Sequence, residues 1–179
     1  MTEYIGNCSH IIDWNKVIDD CNKSSAQNRP ALDIKGIEEV STPLLKAGYK
    51  TKGEGGTASW DMYYPEKNFN IEVVEKFCDF VGLKRYISAW VSRVLPGDVA
   101  PWHWDIYENE KSLPPENTIS RFHCHISAPE PGHVLIVENI CLYNQTQGAV
   151  YKWPSRKSYH AGSNCGLVPK YIFNIWGLK

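Results

Sequence analysis

The chain has 179 residues, of which 42% are hydrophobic and 22% charged, and its formal net charge at pH 7 is −1. This composition excludes extensive disorder, and the length suffices for one domain with a substantial core. The charge balance provides no basic surplus, so nucleic acid is a disfavoured partner. The sequence contains neither a secretory signal nor an apolar run of membrane-spanning length, so we expect a cytoplasmic protein with no membrane partner. Nothing in these totals indicates an oligomeric state.

Two segments of the N-terminal part have the spacing of amphipathic helices. Apolar residues recur at helical intervals over about residues 14–23, where Asp13 is a suitable N-cap. Apolar residues also share one face of residues 70–82, and Gly82 is placed to end that helix.

Beyond residue 84 the sequence changes to short runs of β-branched and aromatic residues, separated by Pro, Gly, Asn or Ser. Such runs without intervening helices favour a sandwich or jelly roll over a parallel α/β sheet. We therefore predict one domain, 1–179, of mostly β (α+β) class: a helical and loop part, 1–83, packed on a β core, 84–179. The predicted strands lie within residues 85–97, 119–127, 133–139, 148–153 and 170–176.

Six cysteines are scattered along the chain without Cys-x-x-Cys spacing. In a reducing compartment this pattern predicts small buried hydrophobic residues rather than a disulfide framework or a structural zinc site. They are Cys8, Cys21, Cys78, Cys124, Cys141 and Cys165.

The segment "APWHWD", residues 100–105, places a histidine and an aspartate two positions apart. Side chains alternate along a strand, so His103 and Asp105 project to the same side. Imidazole nitrogen and carboxylate oxygen are together a donor pair for a divalent transition metal, non-haem iron among them. His160 is the best-placed third ligand, although by itself it also fits an ordinary core or surface histidine. These three ligands on one face would leave the opposite coordination positions open.

Lys170 follows His160 by ten residues, on the adjacent strand of a predicted hairpin. Its neighbours are apolar, so the lysine must either extend to solvent or pair with an internal anion. Lys170, Ile172, Asn174 and Trp176 are predicted to share one strand face. A dicarboxylate that chelates iron at one end would present its second carboxylate at about the distance of Lys170.

These four residues, His103, Asp105, His160 and Lys170, resemble in order and spacing the motif of the 2-oxoglutarate- and Fe(II)-dependent oxygenases. Residues 92–105, 121–127 and 132–139 are similar to the aspartyl/asparaginyl β-hydroxylase-like branch. The resemblance covers roughly residues 92–176 and implies a cupin-like double-stranded β-helix. Three features depart from the branch: Lys170 replaces the usual Arg, Asp105 is present where some members lack a carboxylate, and the connection over residues 106–119 is long.

The resemblance implies that His103, Asp105 and His160 bind Fe(II) and are the catalytic centre. It also implies that Lys170 binds the distal carboxylate of 2-oxoglutarate, with Ser92 and His125 as further cosubstrate contacts. Arg121 or His123 would supply one more donor, and the long connection leaves the choice between them open. For Ser92 the alternative is an ordinary strand serine, and for Arg121 a contact with solvent or an acidic neighbour. Five aromatic residues are candidates to wall the site, namely Trp90, Trp102, Trp104, Tyr171 and Trp176.

The implied activity is hydroxylation of a C–H bond with Fe(II), 2-oxoglutarate and O2, and ascorbate is a candidate stimulant. Similarity to the branch favours a peptidyl Asp, Asn or Pro as substrate, and a free amino acid or small metabolite is the alternative. A non-catalytic jelly-roll module that binds a metal or ligand is the alternative from another class. The loop at Gly53–Gly56 and the insertion Glu108–Thr118 are the predicted rims of the substrate site.

Overall fold

Two antiparallel β-sheets dominate the computed structural model, which describes residues 1–30, 38–50, 55–105 and 112–179. The helices within those ranges are α1 (Trp14–Lys23), α2 (Glu38–Lys46) and α3 (Glu72–Val81). The strands are β1 (Glu3–Asn7), β2 (Gln27–Pro30), β3 (Ser59–Tyr63), β4 (Arg85–Val94), β5 (Val99–His103), β6 (Ile119–His125), β7 (His133–Val137), β8 (Ile140–Tyr143), β9 (Ala149–Lys152), β10 (His160–Asn164) and β11 (Lys170–Leu178).

The larger sheet has the strand order β1-β9-β6-β11-β4-β3-β2, and the smaller sheet has the order β5-β10-β7-β8. From β4 onward the chain passes repeatedly between the two sheets, as in a jelly roll. A cluster between the sheets includes Leu135 of β7 and Ile172 of β11. The predicted fold class, mostly β with a double-stranded β-helix core, is therefore confirmed.

The main hydrophobic core lies between the larger sheet and helices α1 and α3. The Asp13 side chain caps α1 by accepting a hydrogen bond from the Lys16 backbone N–H at 3.1 Å. Gly82 ends α3 in the left-handed region at φ 72°, which glycine adopts without steric cost. Both helices thus begin and end close to where the sequence predicted.

Strand β11 separates this core from the interior between the sheets. Tyr171, Phe173 and Ile175 belong to the helix-facing core, whereas Ile172 faces the other sheet. The predicted alternation along the strand is therefore present. Lys170, only 1% exposed, lies at the start of this strand.

Two features of residues 1–83 were not predicted, and one predicted strand pairing was wrong. The helical and loop part, 1–83, also provides β1, β2 and β3 of the larger sheet. Helix α2 was not predicted, and it contains Pro43, a residue that disfavours helix interiors. The expected hairpin of His160 and Lys170 is absent among the described strands, because β10 pairs with β5 and β7 while β11 pairs with β4 and β6.

The cysteines follow the prediction in part. All six are free thiols, and Cys8, Cys21, Cys78 and Cys124 are buried, whereas Cys141 and Cys165 are exposed. Within the described part of the chain, no helix is both long enough and apolar enough to cross a membrane.

Candidate metal centre

His103, Asp105 and His160 converge at one end of the space between the sheets. Strands β5 and β10 place His103 directly opposite His160, and the two ring centroids are 4.2 Å apart. Asp105 follows the end of β5, and its carboxylate oxygens lie 3.5 Å from His103 Nε2 and 3.9 Å from His160 Nε2. One ligand atom from each residue lies within 4.8 Å of the others. The predicted triad is therefore assembled, with room for one ion between its donors.

Backbone carbonyls orient both imidazoles. His103 Nδ1 lies 2.6 Å from the Pro101 carbonyl oxygen, and His160 Nδ1 lies 3.1 Å from that of Ser158. A ring nitrogen that donates to a carbonyl carries the proton, which leaves Nε2 with the lone pair a metal requires. The His103 ring also stacks on Trp60 of β3, at 5.4 Å between centroids. Both Nε2 atoms are thus presented to the centre.

The charge state of the cluster suits a cation. Burial by itself raises the pKa of Asp105, but the Arg121 guanidinium and the two histidines hold it well below its usual range, so the group is a carboxylate. Burial and the neighbouring His103 lower the pKa of His160, so this imidazole is neutral at pH 7. A carboxylate with neutral imidazole is the donor set that Fe(II) accepts.

Arg121 of β6 lies beside the carboxylate. Its Nη2 is 2.5 Å from Asp105 Oδ2, and its guanidinium carbon lies 3.7 Å from the ring centroid of Trp153. Trp153 also approaches His160, at 4.6 Å between ring centroids, and its Nε1 donates to His123 Nδ1 at 2.6 Å. Sequence reasoning missed Trp153, although it is the last residue of the predicted strand 148–153 and in phase with Tyr151, which packs against the same cluster.

The Lys170 side chain extends from β11 of the larger sheet to strands β7 and β10 of the smaller sheet. Its ammonium group donates to the backbone carbonyls of Val134 and Ser163, the latter at 3.4 Å. Burial lowers the pKa of Lys170 to about 7. In the described part of the chain no carboxylate pairs with this ammonium group, so the desolvation cost of its charge is not offset by an acidic partner.

The other predicted cosubstrate contacts are distributed along the interior. The Ser92 hydroxyl accepts hydrogen bonds from Trp90 Nε1 at 3.0 Å and from Asn174 Nδ2 at 3.2 Å. His125 is 2% exposed, and its burial, together with nearby Lys170, lowers its pKa to about 4. His123 is fully buried, and burial lowers its pKa to about 3.

The predicted aromatic wall is correct only in part. Trp90 lies on the inner side, 5.8 Å from the Arg121 guanidinium carbon. Tyr171 was wrongly included, because it faces the helices and its hydroxyl donates to Asn22 Oδ1 at 2.5 Å. Trp102 faces away from the site, 43% exposed and stacked on Tyr159.

Two other aromatic candidates lie near the site's border. Trp104 lies under the Lys157 ammonium at 5.3 Å, and Trp176 lies near the Arg156 guanidinium at 5.5 Å. Of the predicted rims, residues 53–54 and 108–111 lie outside the described residues.

No protein-family model matches this chain, and no curated protein matches it significantly in sequence. Comparison of folds finds an oxidoreductase of the 2OG-Fe(II) oxygenase family from Burkholderia pseudomallei, with a TM-score of 0.52 and 10% identity over 91% of this chain and 78% of that chain. A viral collagen prolyl hydroxylase from Paramecium Bursaria Chlorella virus-1, in complex with 2OG, has a TM-score of 0.46 and 18% identity over 89% of this chain and 99% of that chain. A predicted oxalate decarboxylase from Thermotoga maritima has a TM-score of 0.48 and 10% identity over 89% of this chain and 96% of that chain.

At such identities the similarity to the Burkholderia protein establishes a shared fold, and the lower scores add nothing to it. Fold and site together define the chain as a jelly-roll protein with a candidate His-Asp-His metal centre.

Proposed function

We propose that the protein is a non-haem Fe(II)- and 2-oxoglutarate-dependent dioxygenase that hydroxylates a C–H bond. The observation that carries the proposal is the convergence of two imidazoles and one carboxylate within 4.8 Å on a jelly roll. This donor set is the facial arrangement used by non-haem iron oxygenases, which leaves coordination positions open. Bound there with 2-oxoglutarate and O2, Fe(II) would supply the oxidising chemistry that no side chain of the protein provides.

The protein's own residues would hold, orient and shield the reactants. His103, Asp105 and His160 would hold the metal, with His160 neutral and Asp105 ionised before it binds. Lys170, 1% exposed and without an acidic partner among the described residues, would bind the distal carboxylate of 2-oxoglutarate. Ser92 and His125 are proposed as further cosubstrate contacts. Burial of these groups excludes water and strengthens their electrostatic interactions.

The proposed substrate is a peptidyl side chain, Asp, Asn or Pro, and a free amino acid or small metabolite is the second candidate. This choice rests on resemblance to the aspartyl/asparaginyl β-hydroxylase-like branch, to which we assign the chain as part of the proposal. Against a non-catalytic metal-binding module stands the buried ammonium of Lys170, since a structural metal site gains nothing from an unpaired internal cation.

The proposal is tested by adding Fe(II) and then 2-oxoglutarate to the protein without oxygen. We expect a weak visible absorption band from chelation of the metal by the keto acid, and succinate formation after O2 and ascorbate are added. His103→Ala and Asp105→Ala should lose both signals, because each removes a metal ligand. The matched controls, His10→Ala and Asp19→Ala at exposed positions, should retain both signals. Absence of the band and of succinate in the unmodified protein would reject the proposal.

A further inference from the structure

The Arg121 guanidinium is fixed from three directions. It is 2% exposed, its Nη1 donates to the Arg156 carbonyl at 3.1 Å, and its Nη2 contacts Asp105 Oδ2 at 2.5 Å. One face of the planar group lies 3.7 Å from the ring centroid of Trp153. Stacking on Trp153, the hydrogen bond to the Arg156 carbonyl and the ion pair with Asp105 hold the guanidinium in one orientation, and its buried Nε–H has no hydrogen-bond partner among the described residues.

The Arg156 carbonyl, which accepts the hydrogen bond from Arg121 Nη1, is itself held in place. Glu116 accepts from the Arg156 backbone N–H at 3.1 Å and from its Nε at 3.1 Å, and from the Ser155 hydroxyl at 2.8 Å. The Trp153 backbone N–H donates to the Arg121 carbonyl at 2.9 Å. The arginine, its stacking partner and its acceptor therefore form one connected unit.

Asp105 lies two residues beyond the end of β5 at His103, outside the pairing of that strand. Its Oδ2 lies 2.5 Å from Arg121 Nη2 and 3.9 Å from His160 Nε2, and its Oδ1 lies 3.5 Å from His103 Nε2. The Arg121 guanidinium therefore borders the same carboxylate whose oxygens face both imidazoles.

We infer that Arg121 is a positioning residue for the metal centre: its guanidinium orients the Asp105 carboxylate as a metal ligand, and this, rather than a contact with the cosubstrate, is its role. The inference rests on the metal site of the proposed function. It departs from the sequence prediction, in which Arg121 or His123 contacts 2-oxoglutarate. Partners that orient a metal ligand typically change metal affinity by about 10- to 100-fold when they are removed.

The test measures Co(II) or Mn(II) affinity by titration calorimetry in the absence of 2-oxoglutarate, where a cosubstrate contact has no effect. Arg121→Met, which retains apolar bulk over Trp153, should weaken metal binding about 10- to 100-fold. It should also alter the visible d–d spectrum of bound Co(II), because the carboxylate changes its orientation. Arg121→Lys retains a buried positive charge, so it should bind metal with an affinity between those of the unmodified protein and Arg121→Met. This variant also tests the inference if Arg121→Met does not fold.

A double-mutant cycle separates orientation of Asp105 from general disruption. In an Asp105→Asn background, which retains an oxygen donor for the metal but removes the charge that Arg121 contacts, Arg121→Met should cause no further loss of metal affinity. The control Arg85→Met, at an exposed position, should leave metal binding unchanged. Unaltered metal affinity in Arg121→Met with weakened 2-oxoglutarate binding would overturn the inference and assign Arg121 to the cosubstrate. Failure of the unmodified protein to bind Co(II) would instead contradict the proposed function.

Discussion

At the scale of single residues, the interior holds an ammonium group without an acidic partner among the described residues. Lys170 is 1% exposed, and its ammonium group donates to the backbone carbonyls of Val134 and Ser163. Because burial lowers its pKa to about 7, a carboxylate that pairs with it must favour the protonated form. The group is thus poised to take up a proton when an anion binds.

Lys170→Ala should weaken 2-oxoglutarate binding by about 2 to 4 kcal/mol, the scale for removing the partner of a buried charge.

In the unmodified protein, affinity for 2-oxoglutarate should fall as pH rises above 7, because free Lys170 is then neutral and a proton must be taken up on binding. Calorimetry at several pH values, in buffers of different ionisation enthalpy, measures both effects. Lys84→Ala, at an exposed position, is the control. Unchanged affinity in Lys170→Ala would remove this lysine from the cosubstrate site.

At the scale of elements, β11 connects the helices to the site. Its Phe173, fully buried, contacts Phe77 of α3 at 5.0 Å and Trp14 of α1 at 5.6 Å between ring centroids. The neighbouring residue Asn174 points to the other side and donates to Ser92. Packing on one face of the strand therefore holds the residues of the other face in place.

Phe173→Ala should lower the free energy of unfolding by about 3 to 5 kcal/mol, the range for deleting a buried aromatic side chain. Urea unfolding followed by far-UV circular dichroism measures the loss. Phe80→Ala removes a ring of the same type that is only partly buried, so its cost should be smaller. Equal losses in the two variants would contradict the view that β11 is the centre of the packing.

At the scale of the whole molecule, buried neutral histidines connect stability to pH. Burial lowers the pKa of His123 to about 3 and that of His125 to about 4, below the unperturbed value of about 6.5. Between these values the unfolded chain binds protons that the folded protein does not. The contribution of these two histidines to the free energy of unfolding is therefore fully present above pH 6.5 and is lost progressively as pH falls toward 4.

In the metal-free protein, these two histidines should make the free energy of unfolding fall by up to about 2.7 kcal/mol per pH unit between pH 5.5 and 4. Urea unfolding at a series of pH values measures the slope. His125→Gln should reduce the slope by about one proton's contribution, whereas His10→Gln, at an exposed position, should leave it unchanged. The same slope in His125→Gln as in the unmodified protein would show that His125 is protonated in the folded state.

How far the sequence predicts this protein depends on the range of the interactions involved. Helices α1 and α3, and the alternation along β11, were predictable because they follow from spacing within about ten residues and from local capping by Asp13 and Gly82. His160, which the spacing in the resemblance singled out as third ligand, does lie beside His103 and Asp105, and its role as a ligand stays a prediction. By contrast, β1 to β3 are strands whose partners lie far along the chain, and no local pattern separated them from loops.

The sequence by itself determined the donor types of the candidate site and the alternation of faces along β11, because alternation is a property of the local backbone. Only the tertiary structure decided which strands become neighbours: His160 lies opposite His103 in the smaller sheet, while Lys170 begins a strand of the larger one. It also brought Arg121 to Asp105 and Trp153 to both Arg121 and His160. These contacts arise when two sheets close over a common interior, and the free energy of that closure comes from burial summed over the whole chain.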